Sequence, residues 1–283
     1  MLLMQKVLKR NIMSKYSDKI IVGGCSFTDK NYPSRAKPKP LHFKMWPEVI
    51  GELYDCEVIN TARCGFGNMA IYHETLDAII KNKDNIKHVY VMWSEWARQD
   101  FLLNDYSYHI TQADGSRTKI TKRFDTMIPR AENDEYDKTQ LWYRKSFNFS
   151  GTIKHAYPNL DNLIDTNLNY IYSMQSICEN LNIPYTFAQA IKPIPAFHFT
   201  NDNHKRDNAI AIKLIEHKTS DLIKENNFWG WPIVPEIGGF NVLSFLKRAM
   251  GETGYKVSFK DTHPNEKAHR LIAKELYDYS IQK

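Results

Sequence analysis

Lys19-Ile20-Ile21-Val22-Gly23-Gly24-Cys25-Ser26-Phe27-Thr28 is the stretch on which the reading of this chain turns. The apolar, mostly β-branched run at its start predicts a buried strand over residues 19–24. Two glycines follow, and they allow a sharp turn that brings the Ser26 backbone N–H close to whatever binds there. Ser26 then stands at the C-terminal tip of a first strand, where open α/β sheets place their ligands. In isolation the same letters also fit an ordinary Gly-Ser turn. The far end of the chain adds Asp261-Thr262-His263-Pro264-Asn265, an acid and a base two residues apart just ahead of a predicted helix. A serine, a histidine and an aspartate are the parts of a nucleophile, its base and an orienting acid. The alternative for the late pair is a turn carboxylate beside a surface histidine.

Working outward from the first strand, Phe43 to Tyr54 carries Trp46, Val49, Ile50 and Leu53 at helical spacing, with Pro47 in the first turn. Glu57–Asn60 predicts a second strand, Asn68 to Lys81 a second helix, and His88 to Trp93 a third strand. This βαβαβ order predicts a parallel sheet with right-handed crossovers. From Arg98 to Tyr157 the periodicity fails, apart from a turn signal at Asp114-Gly115. A segment of that length inside an α/β unit is expected to be a functional insertion, a lid or a substrate wall. Asn162 to Leu181 predicts a long helix and Pro184 to Ala190 a fourth strand. Further helices are predicted over 208–224 and 240–250, with a Trp-, Pro- and Gly-rich loop at 228–239. A last helix is predicted to open at His263 and run to about Ser280.

With 42% hydrophobic and 25% charged residues, the 283-residue chain has the make-up of a packed domain rather than a disordered one. The net charge of +6 comes from basic residues spread along the chain, so no nucleic-acid partner is expected. No apolar run approaches a membrane span. Residues 1–17 read as a basic leader without the apolar core of a signal peptide, which makes the cytoplasm the default location. Cys25, Cys56, Cys64 and Cys178 form no Cys-x-x-Cys pair and read as reduced thiols. His198 and His204 lack the spacing of a zinc motif, and Gly23-Gly24 lacks the rest of a phosphate-binding loop.

Gly24-Cys25-Ser26-Phe27-Thr28 resembles the first block of the SGNH (GDSL-like) hydrolases, which carries their nucleophile. Asn60-Thr61-Ala62-Arg63-Cys64-Gly65 is similar to their second block, and Asp261-Thr262-His263-Pro264-Asn265 to a shorter form of their last one. The resemblance implies a single three-layer α/β/α domain over residues 1–283 with a central parallel sheet of about five strands. It implies a serine esterase acting through an acyl-Ser26 intermediate, with a Ser26–His263–Asp261 triad and no metal or organic cofactor. In this register Ser26 rather than Cys25 is the nucleophile. The family includes lipid esterases, carbohydrate O-deacetylases and acyltransferases, so a small-molecule or glycan ester is the implied substrate, an O-acetylated glycan among them.

The implied oxyanion hole uses the backbone N–H groups of Ser26 and Gly65. The family adds an asparagine from a Gly-x-Asn-Asp block after the third strand. This chain reads Met92-Trp93-Ser94-Glu95 there, which leaves Asn68 and Ser94 as candidate replacements. Capping of the second helix is the alternative role for Asn68. Trp93, Trp96 and Arg98 lie at or just after the end of the third strand and are expected near the pocket mouth. Trp93 and Arg98 are candidate substrate contacts, with a salt bridge to Glu95 as the other reading of Arg98. Trp229 and Trp231 are candidates for sugar stacking or for packing. The missing asparagine also leaves open a binding module of the same fold with weak or no catalysis.

Overall fold

The computed structural model describes residues 18–32, 43–111, 117–127, 129–131, 141–143, 160–194 and 203–282. Their core is a five-stranded parallel sheet. β1 (Lys19–Gly23), β2 (Glu57–Asn60) and β3 (Ile86–Trp93) are joined by β8 (Tyr185–Gln189) and β9 (Phe228–Trp229), in the order β2-β1-β3-β8-β9. Ile20, Ile21 and Val22 are wholly buried, as are Val89 and Met92 in β3, because helices cover both faces of the sheet. Each such side chain contributes roughly 1.5–3 kcal/mol of transfer free energy.

The helices are α1 (Trp46–Tyr54), α2 (Asn68–Asn82), α3 (Leu160–Asn180), α4 (Asn203–Glu216), α5 (Val242–Gly254) and α6 (Glu266–Ile281). α1 packs with α6, whereas α2 packs with α3 and α3 with α4, giving a three-layer α/β/α arrangement. Local chemistry sets their starts. The Glu48 carboxylate accepts from the Met45 N–H at 3.0 Å ahead of α1. Asn265 caps α6 by accepting from the Ala268 N–H at 3.0 Å. The cap of α2 arrives from elsewhere in the chain: the Asp100 carboxylate accepts from Gly67 N–H at 2.9 Å and Ala70 N–H at 2.8 Å.

Three expectations are corrected. The segment 228–239 is not all loop, because Phe228 and Trp229 pair in parallel with Phe187 and Ala188 as the fifth strand. A two-residue strand is too short to leave a period in the sequence. His263 does not open the last helix; it lies in β11 (Asp261–Pro264), which pairs antiparallel with β10 (Lys256–Ser258). The span after β3 is not patternless either. β4 (Gln99–Thr111) and β5 (Arg117–Met127) form an antiparallel hairpin on either side of Asp114-Gly115, and β6 (Pro129–Ala131) pairs with β7 (Leu141–Tyr143). A register shift between Leu102 and Tyr106 interrupts the alternation of β4, which hides the strand from a period-two search. The basic leader and His198 lie outside the described residues.

Candidate active site

β1 ends at Gly23, and the chain turns back on itself at once: Thr28 N–H and Asp29 N–H both donate to Cys25 O, at 2.9 and 3.0 Å. A Cβ on Gly24 would stand 2.4 Å from Thr28 Oγ1, so only glycine admits this turn. The turn leaves Ser26 at the strand tip. From the other end of the chain, the β10–β11 hairpin brings His263 to the same place. Ser26 Oγ and His263 Nε2 are 2.8 Å apart, and His263 Nδ1 lies 2.7 Å from Asp261 Oδ1. The carboxylate can only accept, so Nδ1–H donates to it and Nε2 is left to accept from the serine hydroxyl.

Asp261 is held on several sides. Its N–H donates to Ser258 Oγ at 3.1 Å, its Oδ1 also accepts from the His263 N–H at 3.2 Å, and its Oδ2 accepts from Tyr32 O–H at 3.2 Å. The Asp261 side chain is only 2% exposed, whereas that of His263 is 28% exposed and open to the cleft. The i, i+2 spacing works because the hairpin folds the carboxylate back under the imidazole. The Tyr32 ring lies over His263 with centroids 4.3 Å apart, and Phe27 meets it edge-on at 5.5 Å. No signal in the sequence marked Tyr32, which reaches Asp261 across 229 positions of chain.

The loop after β2 runs beside this turn. Thr61 N–H donates to Val22 O at 2.8 Å and Arg63 N–H to Gly24 O at 3.3 Å. Asp29 Oδ2 accepts from Cys64 N–H at 2.8 Å. Gly65 follows with φ of 92°, in the left-handed region that favours glycine. The structure therefore brings the Gly65 loop alongside Ser26.

Beyond β3 the expected side-chain contacts are corrected. The Asn68 amide does not serve the cleft. Its Nδ2 donates to Asn167 Oδ1 at 2.6 Å and Ser94 O at 3.3 Å, and its Oδ1 accepts from Ser94 N–H at 2.7 Å. Asn68 is N1 of α2 rather than its cap, since Gly67 holds the N-cap position. Ser94 is fully buried, and its hydroxyl has no hydrogen-bond partner among the described residues. Trp93 is fully buried too, with its ring 5.8 Å edge-on to Phe187, because a strand covered on both faces sends even its last side chain inward. Trp96 is buried and donates to Gln189 Oε1 at 3.2 Å. Trp229 packs between Phe240 and Phe245, each 5.0 Å away, and Trp231 lies 5.1 Å from Phe228.

Arg98 does line the cleft. Its Nε donates to Glu95 Oε2 at 2.9 Å and its Nη1 to Phe66 O at 3.0 Å. Burial works against its charge, but the Glu95 carboxylate, with smaller contributions from Cys25 and Asp100, raises its pKa above the ordinary value. The cleft, of about 420 Å³, is lined by Ser26, Phe27 and His263 together with Glu95, Arg98 and Leu243. Among the described residues no group of three or more His, Cys, Asp or Glu side chains could hold a metal ion, and no helix is long and apolar enough to cross a membrane.

No family model matches the chain, and no curated protein matches it. Among solved structures it is similar to a member of the lipolytic protein G-D-S-L family from Veillonella parvula, at 12% identity over 92% of this chain and 96% of that one, with a TM-score of 0.40. It is also similar to the psychrotrophic esterase EstA from Pseudoalteromonas sp., at 12% identity over 94% and 97% of the two chains and a TM-score of 0.39. A third is the acetyl xylan esterase AlAXEase, at 10% identity over 92% and 98%, with a TM-score of 0.41.

Proposed function

We propose that this protein is a serine esterase of the SGNH (GDSL-like) type. The observation that carries the reading is the continuous hydrogen-bonded chain from Ser26 Oγ through His263 to Asp261 at the strand ends. Ser26 Oγ attacks the ester carbonyl carbon while its proton passes to His263 Nε2. The resulting oxyanion is met by the backbone N–H groups of Ser26 and Gly65. His263 then returns the proton to the departing alcohol oxygen, leaving an acyl-Ser26 ester. Water, deprotonated by His263, attacks that ester, and His263 returns the proton to Ser26 Oγ as the acyl–oxygen bond breaks and the acid leaves. Asp261 stabilises the imidazolium in both halves, and Tyr32 holds Asp261.

The modest cleft, apolar at Phe27, Leu243 and Tyr255 and polar at Thr262, Lys192 and Glu95, favours a short acyl group on a polar alcohol. An O-acetyl group on a carbohydrate fits that description. One observation favours a second reading, a binding module with lost catalysis: the two polar side chains expected to replace the missing asparagine, Asn68 and Ser94, are both buried away from the cleft. Labelling with a fluorophosphonate probe separates the two. The esterase reading expects labelling that Ser26→Ala and His263→Ala abolish, followed by turnover of p-nitrophenyl acetate. A folded parent protein that stays unlabelled overturns it.

A further inference from the structure

We infer that Arg98 completes the oxyanion site, a guanidinium taking the role that the resembled family gives to an amide. The inference rests on the esterase reading above. An acyl-transfer site gains most from donors fixed in advance where charge develops. With Asn68 closed on Asn167 and Ser94 enclosed, Arg98 is the charged donor that the end of β3 lends to the cleft among the described residues. Arg98 lines the same cleft as Ser26 and His263, and its side chain is 9% exposed. Two of its five N–H groups are used, on Glu95 and on Phe66 O; Nη2 has no partner among the described residues.

Its attachment points place it at the oxyanion loop. Phe66, whose carbonyl it holds, is the neighbour of Gly65, and Cys25, which lines the same cleft, is the neighbour of Ser26. A Cβ on Gly67 would come within 2.9 Å of Arg98 Cβ, so glycine there lets the arginine stem lie against the loop backbone. Glu95 and Phe66 O fix two edges of the planar fork, which leaves the remaining N–H groups oriented without loss of side-chain freedom during the reaction. A guanidinium is permanently charged and weakly hydrated, and it suits a wall from which water is excluded. Glu95 lowers the cost of burying that charge, while the directed N–H groups still favour an oxygen that becomes negative.

The test compares steady-state turnover of the parent, Arg98→Gln, Arg98→Ala, Glu95→Gln and the double variant Glu95→Gln/Arg98→Gln. The double variant avoids leaving Glu95 buried without its partner. Substrates are p-nitrophenyl acetate and a short ester whose acyl chain ends in a carboxylate. The expected result is a kcat lower by about 10²–10³-fold for both substrates when the guanidinium is lost, with KM changed by less than about threefold. The double variant is expected to lose as much again relative to Glu95→Gln alone. Added guanidinium ion is expected to restore part of kcat in Arg98→Ala. Three outcomes overturn the inference with the esterase reading intact: unchanged kcat in a folded variant, a loss confined to the carboxylate-bearing ester, or a loss that appears only in KM. A parent protein that neither labels nor turns over overturns both.

Discussion

The two walls of the cleft rise from ends of the same parallel sheet, yet they are built by opposite chemistry. On the β1 side, an uncharged-to-acidic relay of Ser26, His263, Asp261 and Tyr32 runs from the cleft into the interior through contacts of 2.7–3.2 Å. It links residues 237 positions apart, so nothing but the folded sheet holds it together. On the β3 side, the neutral polar groups are turned inward: the Asn68 side chain bonds the Ser94 backbone just after β3 and the Asn167 amide on α3. What that wall offers to the cleft is an ion pair, Glu95–Arg98. The frame thus fixes where a site lies, while the side chains at each strand tip decide whether that tip reacts, recognises or braces.

The largest effect that sharpens this contrast is expected on the relay. Under the esterase reading, Ser26→Ala or His263→Ala lowers kcat by about 10⁴–10⁶-fold and leaves stability nearly unchanged, as turnover and urea midpoints measured on the same preparations would show. The brace should respond the other way round. Asn68→Ala strands the Ser94 N–H and the Asn167 carbonyl in the interior and is expected to cost roughly 2–3 kcal/mol of stability. Turnover per folded molecule should fall by less than about tenfold. If instead that variant loses activity at unchanged stability, the division between the two walls fails.

A third expectation concerns the underside of the relay. His269 on α6 is wholly buried, accepts from Trp46 N–H at 3.3 Å, and has its pKa pushed down to about 3, first by burial and then by nearby His263. Its folded pKa lies below the unfolded value of 6.5, so the unfolded chain binds the proton first. Stability from this group is full above pH 6.5 and falls as pH drops from there toward 3, by up to about 1.4 kcal/mol per pH unit. Urea midpoints between pH 7 and 5 should show the slope, and His269→Asn, which keeps an acceptor near Nδ1, should flatten it. An equal slope in both proteins would remove His269 as its source. The smallest effect is expected from Tyr32→Phe, which deletes one bond to Asp261 and should lower kcat by only about three- to tenfold.

Much of this molecule was legible in the letters. The β-branched run at 19–22, the apolar spacing of Trp46, Val49 and Ile50, and the glycine at 24 carry their structure locally, because strand burial, helix faces and tight turns depend on residues within a few positions, whereas Gly23 is required by the approach of Thr75 on α2. The same holds for Asp261 and His263 as a pair. The fifth strand, Phe228–Trp229, was not legible, since two residues have no period and pair only because β8 presents an open edge. Nor was the Asp100 cap of α2, which comes from β4.

What the sequence determined by itself was the layered α/β frame and the identity of a serine, a histidine and an aspartate suited to one relay. Only the tertiary structure decided which neighbours serve the cleft. Asn68, Ser94 and Trp93 all have chemistry fit for a site, and packing turned all three into scaffold. Arg98 and Tyr32 were directed to the site by partners distant in sequence, Phe66 O for one and Asp261 for the other. The physical reason is that a polar group's role follows from which of its hydrogen bonds are already filled. That in turn depends on contacts between segments that no local pattern encodes.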